Sequence, residues 1–181
     1  MPTQKIIIFL LLSVLLLSCG QRPYKDITEK PDWTILNLPN GWTLQAPKNF
    51  KDSSDQGIDS NPGYIFSTLD SIFLKFDSGE EITHKHECDF QKEVDEAKRP
   101  YMLSTYKKQT GISHIQRVDT IGDRVASIIT STKVGKGITN ISINDCSTGA
   151  WLGITGNDLT PDKQALVLEI FRTIRMQGDK K

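Results

Sequence analysis

The sequence is poor in the residues that most often carry chemistry. It contains only three cysteines and three histidines. It also has no excess of charge of either sign, because 22 basic residues balance 22 acidic residues and the formal net charge is zero. Nucleic-acid-binding domains usually carry a clustered basic face, and no run of three or more lysines or arginines occurs in this chain. A Ser/His/Asp triad would have to use one of only three histidines, and the Gly-x-Ser-x-Gly motif of many serine hydrolases is absent. The sequence therefore predicts no nucleic-acid partner, no cofactor and no enzyme.

Long apolar runs are also missing, apart from Ile6 to Leu17, which only Ser13 interrupts. Lys5 precedes this run with a positive charge. As a helix, a run of this length rises about 18 Å, whereas the hydrocarbon core of a bilayer is roughly 30 Å thick. The run is too short for a membrane span and is typical of the apolar region of a signal peptide. We assign residues 1–18 to that signal.

The end of this run, Leu16-Leu17-Ser18-Cys19-Gly20, resembles the lipobox of bacterial lipoproteins. An aliphatic residue stands three positions before the cysteine, and a small residue stands directly before it. The resemblance implies that Cys19 is acylated, with palmitate-type chains, and becomes the first residue of the mature protein. Lipid chains of this kind contribute about 0.8 kcal/mol per buried methylene, enough for permanent attachment when several chains are present. An ordinary cleaved signal with an incidental cysteine is the alternative.

The residues after Cys19 bear on location. Gly20 is not the aspartate that retains lipoproteins in the inner membrane of enteric bacteria, and Gln21-Arg22-Pro23 lacks the acidic run that exports some lipoproteins to the cell surface. The resemblance therefore predicts a lipid-anchored envelope protein in the outer membrane, facing the periplasm. Residues 19–32 are polar and contain two prolines, so we interpret them as a lipidated tether.

Residues 33–176 predict a single α+β domain, followed by a polar tail at 177–181. Alternating apolar residues predict strands near Trp33, from Trp42 to Ala46, on both sides of Asp70, and four more between Ser113 and Thr155. The last four, joined by short glycine-containing turns, predict an antiparallel meander. Thr160-Pro161 predicts the start of a C-terminal helix, with Val167, Ile170, Phe171 and Ile174 as its buried stripe.

Four further expectations concern the middle of the chain. Lys48 to Pro62 is rich in polar residues and glycine and predicts a surface loop, and Ser78 to Glu81 predicts a turn. Ile82 to Cys88 predicts an edge strand. Asp89 is placed to cap a middle helix whose buried stripe would be Phe90, Val94, Ala97 and Tyr101, with a kink at Pro100. We expect one mainly antiparallel sheet, with the middle and C-terminal helices packed on it.

This order of elements is similar to that of PsbP-like domains. The segments that carry the resemblance are Gly41-Trp42-Thr43-Leu44-Gln45-Ala46-Pro47 and the closing Ile170-Phe171-Arg172-Thr173-Ile174-Arg175. The similarity spans Trp33 to Met176 and implies an antiparallel sheet flanked by helices. It also implies an accessory or binding role without catalysis. It assigns no individual functional residue, because no site motif is shared.

The densest group of potential ligands is His84-Lys85-His86-Glu87-Cys88. On a strand, His84, His86 and Cys88 would point to one face, and imidazole with thiolate suits zinc or copper. Cys88 and Cys146 could instead form a disulfide, which the oxidising envelope favours and which would close a loop of about 58 residues. Cys88 cannot serve both purposes at once. A metal-binding or hydrolytic protein built on this cluster is therefore the alternative to a binding role.

The leading hypothesis is a non-enzymatic lipoprotein that binds another envelope protein and contacts the membrane through its anchor. Trp33, Trp42 and Trp151 could form an aromatic ligand platform, although packing in the core is the simpler prediction. An exposed apolar face on the sheet would favour partner binding. A deep pocket with convergent ionisable groups would favour an enzyme.

Overall fold

The computed structural model describes residues 30–55, 57–80, 88–98 and 101–179. Within them the protein is an α+β structure with antiparallel sheets, as predicted. The lipobox at Cys19 and the histidines of the predicted edge strand, His84 and His86, lie outside the described residues, as does Pro100. No helix in the described ranges has both the length and the apolar character needed to cross a bilayer.

Ten strands and three α-helices make up the described structure. The strands are β1 (Trp33–Asn37), β2 (Trp42–Pro47), β3 (Lys51–Ser54), β4 (Asn61–Ser67), β5 (Ile72–Glu80), β6 (His114–Ile121), β7 (Arg124–Ser131), β8 (Ile138–Asp145), β9 (Ala150–Asn157) and β10 (Arg175–Met176). The helices are α1 (Phe90–Ala97), α2 (Tyr101–Thr110) and α3 (Pro161–Phe171), and a 3-10 turn spans Pro39–Gly41.

The large sheet has seven strands in the order β3-β4-β5-β9-β8-β7-β6, and every neighbouring pair is antiparallel. The meander predicted for the four strands between Ser113 and Thr155 is confirmed as β6 to β9. The β4–β5 hairpin joins this meander through β5 and β9, where Phe76 pairs with Ile154. This long-range pairing unites the two halves of the chain in one sheet.

A second, smaller sheet has the order β1-β2-β10. The prediction of a single sheet is therefore wrong. Pro47 ends β2, and Phe50, whose amide bonds to the Pro47 carbonyl at 2.9 Å, turns the chain into β3 of the large sheet. A proline has no amide hydrogen to extend the ladder, which accounts for the break between the sheets.

The main core lies between the small sheet, α3 and one face of the large sheet, which we call the inner face. Its fully buried residues include Trp42, Phe76 and Phe171. The predicted stripe of α3 is confirmed, since Val167, Ile170 and Phe171 are buried, although Ile174 lies beyond the end of the helix. Pro161 occupies the first turn, where its missing N–H leaves no hydrogen bond unmade.

Helices α1 and α2 lie on the opposite, outer face of the large sheet. Tyr106 of α2 packs there with Ile129 and Ile138 in a second, smaller core. The predicted stripe of the middle helix is wrong at both ends, because Phe90 is 56% exposed and Tyr101 is 64% exposed. The prediction assumed one continuous helix, whereas α1 ends at Ala97 and Tyr101 begins α2, so the four residues do not share one helical face. The two helices reach β6, β7 and β8, and no described helix covers the outer face of β3, β4 and β5.

Two other local predictions are wrong. The expected loop from Lys48 to Pro62 contains strand β3, a polar edge strand that its backbone pairing with β4 holds in place without apolar periodicity. In the expected turn from Ser78 to Glu81, the first three residues are instead the end of β5, and Glu81 lies outside the described residues. Gly79 fits a strand because a β-carbon there would lie 2.9 Å from the indole of Trp151 on the neighbouring strand. The glycine marks a close side-chain approach instead of a reversal.

Candidate functional site

Cys88 and Cys146 are joined by a disulfide, with their Cα atoms 5.5 Å apart. Cys88 directly precedes the N-cap of α1, and Cys146 follows the last residue of β8. The bridge therefore ties the start of α1 to the end of the sheet. At the same point, Asp89 accepts hydrogen bonds from the amides of Gln91 and Lys92, which confirms its predicted role as the N-cap.

Among the described residues, Cys88, Glu93 and Cys146 form a group of potential metal ligands whose ligating atoms all lie within 4.8 Å of one another. Zinc and copper bind cysteine as the thiolate, and sulfurs committed to a disulfide do not supply it. While the bridge stands, Glu93 is left as the single ligand of this group. The proposed ligands His84 and His86 precede this point in the chain, outside the described residues.

A groove of about 230 Å³ separates α1 and the start of α2 from the outer face of β7 and β8. Its lining is mixed, with Glu93, Gln116, Ser127 and Asn144 beside apolar side chains. Gln116 spans the groove wall, donating to the Ser127 hydroxyl at 2.7 Å and to the Ala97 carbonyl. The polar side chains of this wall therefore bond to one another and to the helix end.

Glu93 lines the groove from α1, and the pKa of its carboxyl is displaced. Its partial burial raises the pKa of the carboxyl, and the negative charges of Asp145, Glu96 and Asp89 raise it further. A carboxyl of this kind could exchange a proton. Its neighbours are acidic, however, and the described groove lining contains no histidine, lysine or arginine to pair with it. Glu93 therefore has no cationic partner among the described residues of the groove.

His114, the third histidine, lies at the other end of the sheet, at the start of β6. Its Nε2 accepts a hydrogen bond from the Ile138 amide at 2.9 Å, and its ring packs 5.7 Å from that of Tyr106. Burial lowers the pKa of His114, while the Ile112 carbonyl acts in the opposite sense. The neutral imidazole of His114 therefore connects β6 to β8 by accepting a backbone hydrogen bond. It lies at the opposite end of the sheet from the disulfide and does not line the groove.

The open part of the outer face carries a cluster of aromatic side chains, Tyr64, Phe66 and Phe73, which we call the aromatic patch. The ring of Phe73 lies 5.1 Å from that of Tyr64 and 5.8 Å from that of Phe66. Phe73 is 61% exposed and Tyr64 is 40% exposed. Lys51 and Lys75 stand opposite Phe66 and Tyr64 in the strand pairing, so two cations border the patch. The edge strand β3 completes this surface.

The three tryptophans do not form one platform. Trp42 is fully buried on the inner side, which confirms the prediction of core packing, and the Arg124 guanidinium lies 5.9 Å from its ring. Trp33 is half-buried in β1, with the Lys30 ammonium 4.0 Å from its ring. Trp151 is half-buried on the outer face above Gly79.

The aromatic patch was not predicted from the sequence. Apolar residues on one side of the hairpin, such as Ile65 and Leu74, were sufficient to assign the strands. The alternate positions also carry Phe66 and Phe73, so both faces of this hairpin are apolar. This pattern could have indicated the patch, because a strand with one face in solvent normally carries polar residues on that face.

No family model matches the chain, and no curated protein matches its sequence.

Proposed function

We propose that this protein is a lipid-anchored protein of the bacterial envelope that binds another envelope protein through the aromatic patch and has no catalytic role. The single observation that carries the proposal is the exposure of Phe73 and Tyr64 beside Phe66 on a sheet face that the described helices leave open. Contiguous aromatic side chains at the surface of a soluble domain are characteristic of interaction sites.

The chemistry of the patch limits the partner. Phenylalanine and tyrosine bury large apolar areas with few rotatable bonds, which suits the centre of a protein interface. Lys51 and Lys75 at its border favour a partner with acidic side chains around an apolar centre. Among the described strands, β3 is an edge strand with one side of its backbone unpaired, and its short, polar sequence limits nonspecific strand addition.

The anchor and the location of the protein are part of the same proposal. The lipobox resemblance at Cys19 supports attachment of the domain to a membrane, and Gly20 favours the outer membrane facing the periplasm. A PsbP-like classification, with its accessory roles, is consistent with an antiparallel sheet flanked by helices. This consistency supports the proposal only at the level of fold class, which many unrelated functions share.

Photo-crosslinking tests the partner. A benzoylphenylalanine residue replaces Phe73 in one strain and Ile115 in another. Ile115 is a matched control because it is 58% exposed on β6, at the far edge of the sheet. We expect a crosslinked species of defined mass from position 73 alone, and its loss when Tyr64 is also changed to serine. Identical products from both positions, or none from either, would contradict a binding role for the patch.

Mass spectrometry of the mature N-terminal peptide tests the anchor independently. We expect Cys19 at the N-terminus, carrying the mass of a diacylglyceryl group, and no such mass in a Cys19→Ala variant. An unmodified Cys19 peptide, or a mature chain that begins elsewhere, would show that the lipoprotein assignment is wrong.

A further inference from the structure

One end of the large sheet collects exposed lysines from distant parts of the chain. The turns that follow β4 and β7 share this end, because Gly156 of β9 pairs with Leu74 and the next residue, Asn157, pairs with Ile138. We call it the lysine-rich end. Six exposed lysines lie here. They are Lys48 in the β2–β3 connection, Lys51 in β3, Lys107 and Lys108 in the last turn of α2, and Lys133 and Lys136 in the β7–β8 turn.

The opposite end of the sheet is acidic. There Ala150 pairs with Glu80 on one side and with Asp145 on the other, which aligns the β5 terminus with the β8–β9 turn. The acidic residues at or beside this end include Asp59, Glu80, Asp89, Glu93, Asp123, Asp145 and Asp179. A chain of zero net charge is thus a molecule with two oppositely charged ends.

The lysines at the lysine-rich end are available for an outside partner. None of the six forms an ion pair within the part of the chain that the structure describes. Two carboxylates at the same end are occupied locally. Asp70 accepts hydrogen bonds from Asn49 at 2.5 Å and Ser67 at 2.8 Å, and Asp158 accepts one from the Gly137 amide at 2.8 Å.

Two turns at this end also expose an apolar side chain at their tips. Leu69, in the β4–β5 turn, is 81% exposed, and Val134, in the β7–β8 turn, is 75% exposed. Val134 stands directly after Lys133 and two residues before Lys136. Apolar tips surrounded by lysines match the chemistry of an anionic bilayer surface, where the apolar groups enter the interface and the ammonium groups meet phosphates.

The N-terminal segment joins the domain at this same end. Trp33, the first residue of β1, pairs with Pro47 at the end of β2. Two residues later, Asn49 bonds to Asp70 in the β4–β5 turn. Lys30 lies eleven positions after Cys19, and at about 3.3 Å per position this segment reaches at most roughly 36 Å. An anchored chain therefore holds the lysine-rich end within reach of its own membrane.

We propose that the lysine-rich end is a second membrane contact, which docks on anionic phospholipid headgroups and inserts Leu69 and Val134 into the interface. The proposal rests on the proposed function in one respect, the anchor at Cys19. Docked in this way, the large sheet stands upright on the bilayer. Its aromatic patch then faces sideways, and the acidic end with the disulfide points away from the lipid.

Depth-dependent quenching tests this contact in the full-length lipidated protein. Leu69→Trp is compared with Ile58→Trp, a matched control because Ile58 is fully exposed in the β3–β4 loop at the acidic end. Each variant is reconstituted into vesicles of phosphatidylcholine, or of equimolar phosphatidylcholine and phosphatidylglycerol, with brominated acyl chains. The emission of the unsubstituted protein is subtracted from both.

We expect the added emission of Leu69→Trp to be blue-shifted and quenched in the anionic vesicles, and that of Ile58→Trp to remain unquenched. Adding Lys133→Glu and Lys136→Glu to Leu69→Trp should abolish the quenching, whereas adding Lys92→Glu, at the acidic end, should not. Circular dichroism of each variant verifies that it is folded.

Equal quenching of Leu69→Trp and Ile58→Trp, or quenching of neither, overturns the second contact, even where mass spectrometry finds the lipid on Cys19. An unmodified Cys19 overturns the anchor instead, so the two failures are distinguishable. Insertion that is equally deep in phosphatidylcholine alone overturns the role of the lysines. A Leu69→Trp response to an oligonucleotide and not to vesicles assigns this end to nucleic acid and overturns the membrane contact.

Discussion

The Arg124 guanidinium holds the carboxylate of Asp179 through two parallel hydrogen bonds, from Nη1 to Oδ2 at 2.7 Å and from Nη2 to Oδ1 at 2.9 Å. Its Nε donates at the same time to Asp145 Oδ2 at 2.6 Å. One arginine on β7 therefore connects the end of β8 with the segment that follows β10. Bidentate pairing of this kind fixes geometry as well as charge.

The first prediction removes this arginine. Arg124→Met should lower the free energy of unfolding by about 3 kcal/mol, because it leaves a buried carboxylate without its partner. The side chain of Arg124 is 11% exposed and that of Asp145 is 4% exposed, so water replaces little of the lost interaction. Urea denaturation measures the change. Arg117→Met is the control, since its pair with Asp119 is exposed and should contribute less than about 1 kcal/mol. Equal losses would contradict the assignment.

The second prediction concerns acid. Burial alone would raise the pKa of Asp145, but hydrogen bonds from Ser147, Arg124 and the Thr148 amide outweigh it and lower the pKa below its usual range. The unfolded chain then binds this proton first as pH falls, so the stabilisation is complete above about pH 5 and is lost as pH drops through the folded pKa. Asp145→Asn should flatten that acid limb, measured as the free energy of unfolding against pH.

Glu93 provides the opposite case. Its pKa is raised, so its charge opposes folding near neutral pH. Glu93→Gln should stabilise the protein at pH 7 and have less effect as pH falls through the folded pKa of the carboxyl, where the wild-type group is already protonated. A steeper acid limb in Asp145→Asn, or destabilisation by Glu93→Gln at neutral pH, would contradict these signs.

The third prediction is a count of thiols. In the mature, denatured and unreduced protein we expect no free thiol, because Cys88 and Cys146 are bridged and Cys19 carries a lipid thioether. We also expect no bound zinc or copper in the folded protein, measured before denaturation. One free thiol would identify an unmodified Cys19. Two free thiols with stoichiometric metal would support the ligand set His84, His86 and Cys88 in place of the bridge.

The bridge should also stabilise the fold. Its cysteines are 58 residues apart in the chain, and the entropy of closing such a loop in the unfolded state corresponds to roughly 4 kcal/mol. The double variant Cys88→Ala and Cys146→Ala should lose a similar amount in urea denaturation. The same double change should have no further effect on protein that has been reduced first.

Local patterns sufficed for the elements whose signals are close in sequence. The meander β6 to β9 follows from alternating apolar residues and short turns, and α3 follows from Thr160-Pro161 and its buried stripe. In each case, the residues that determine the element lie within a few positions of it, so a single sequence contains the necessary information.

Relationships between distant residues were not accessible in this way. No sequence feature near β5 or β9 indicates that these two strands pair. Gly79 belongs to a strand because it takes part in that pairing. The lysine-rich end is a second example. Lys48, Lys107 and Lys133 are far apart in sequence and form no basic run. The strand register brings them to the same end of the sheet. The absence of a basic run in the sequence therefore does not exclude a basic cluster on the folded surface.

The last prediction uses two strand glycines. A β-carbon at Gly63 would lie 2.3 Å from the Ser53 carbonyl oxygen and 2.3 Å from the Phe76 ring, so the strand β3 or the core would have to move. Gly63→Ala should therefore cost about 1–3 kcal/mol, the usual range for overpacking a core. Gly153→Ala is the matched control, because its β-carbon would meet no atom closer than the Asp77 carbonyl oxygen at 3.9 Å. This variant should be neutral or slightly more stable, since alanine reduces the entropy of the unfolded chain. Thermal unfolding of both variants gives the comparison, and equal destabilisation would show that the close approach of β3 and Phe76 to Gly63 does not limit the fold.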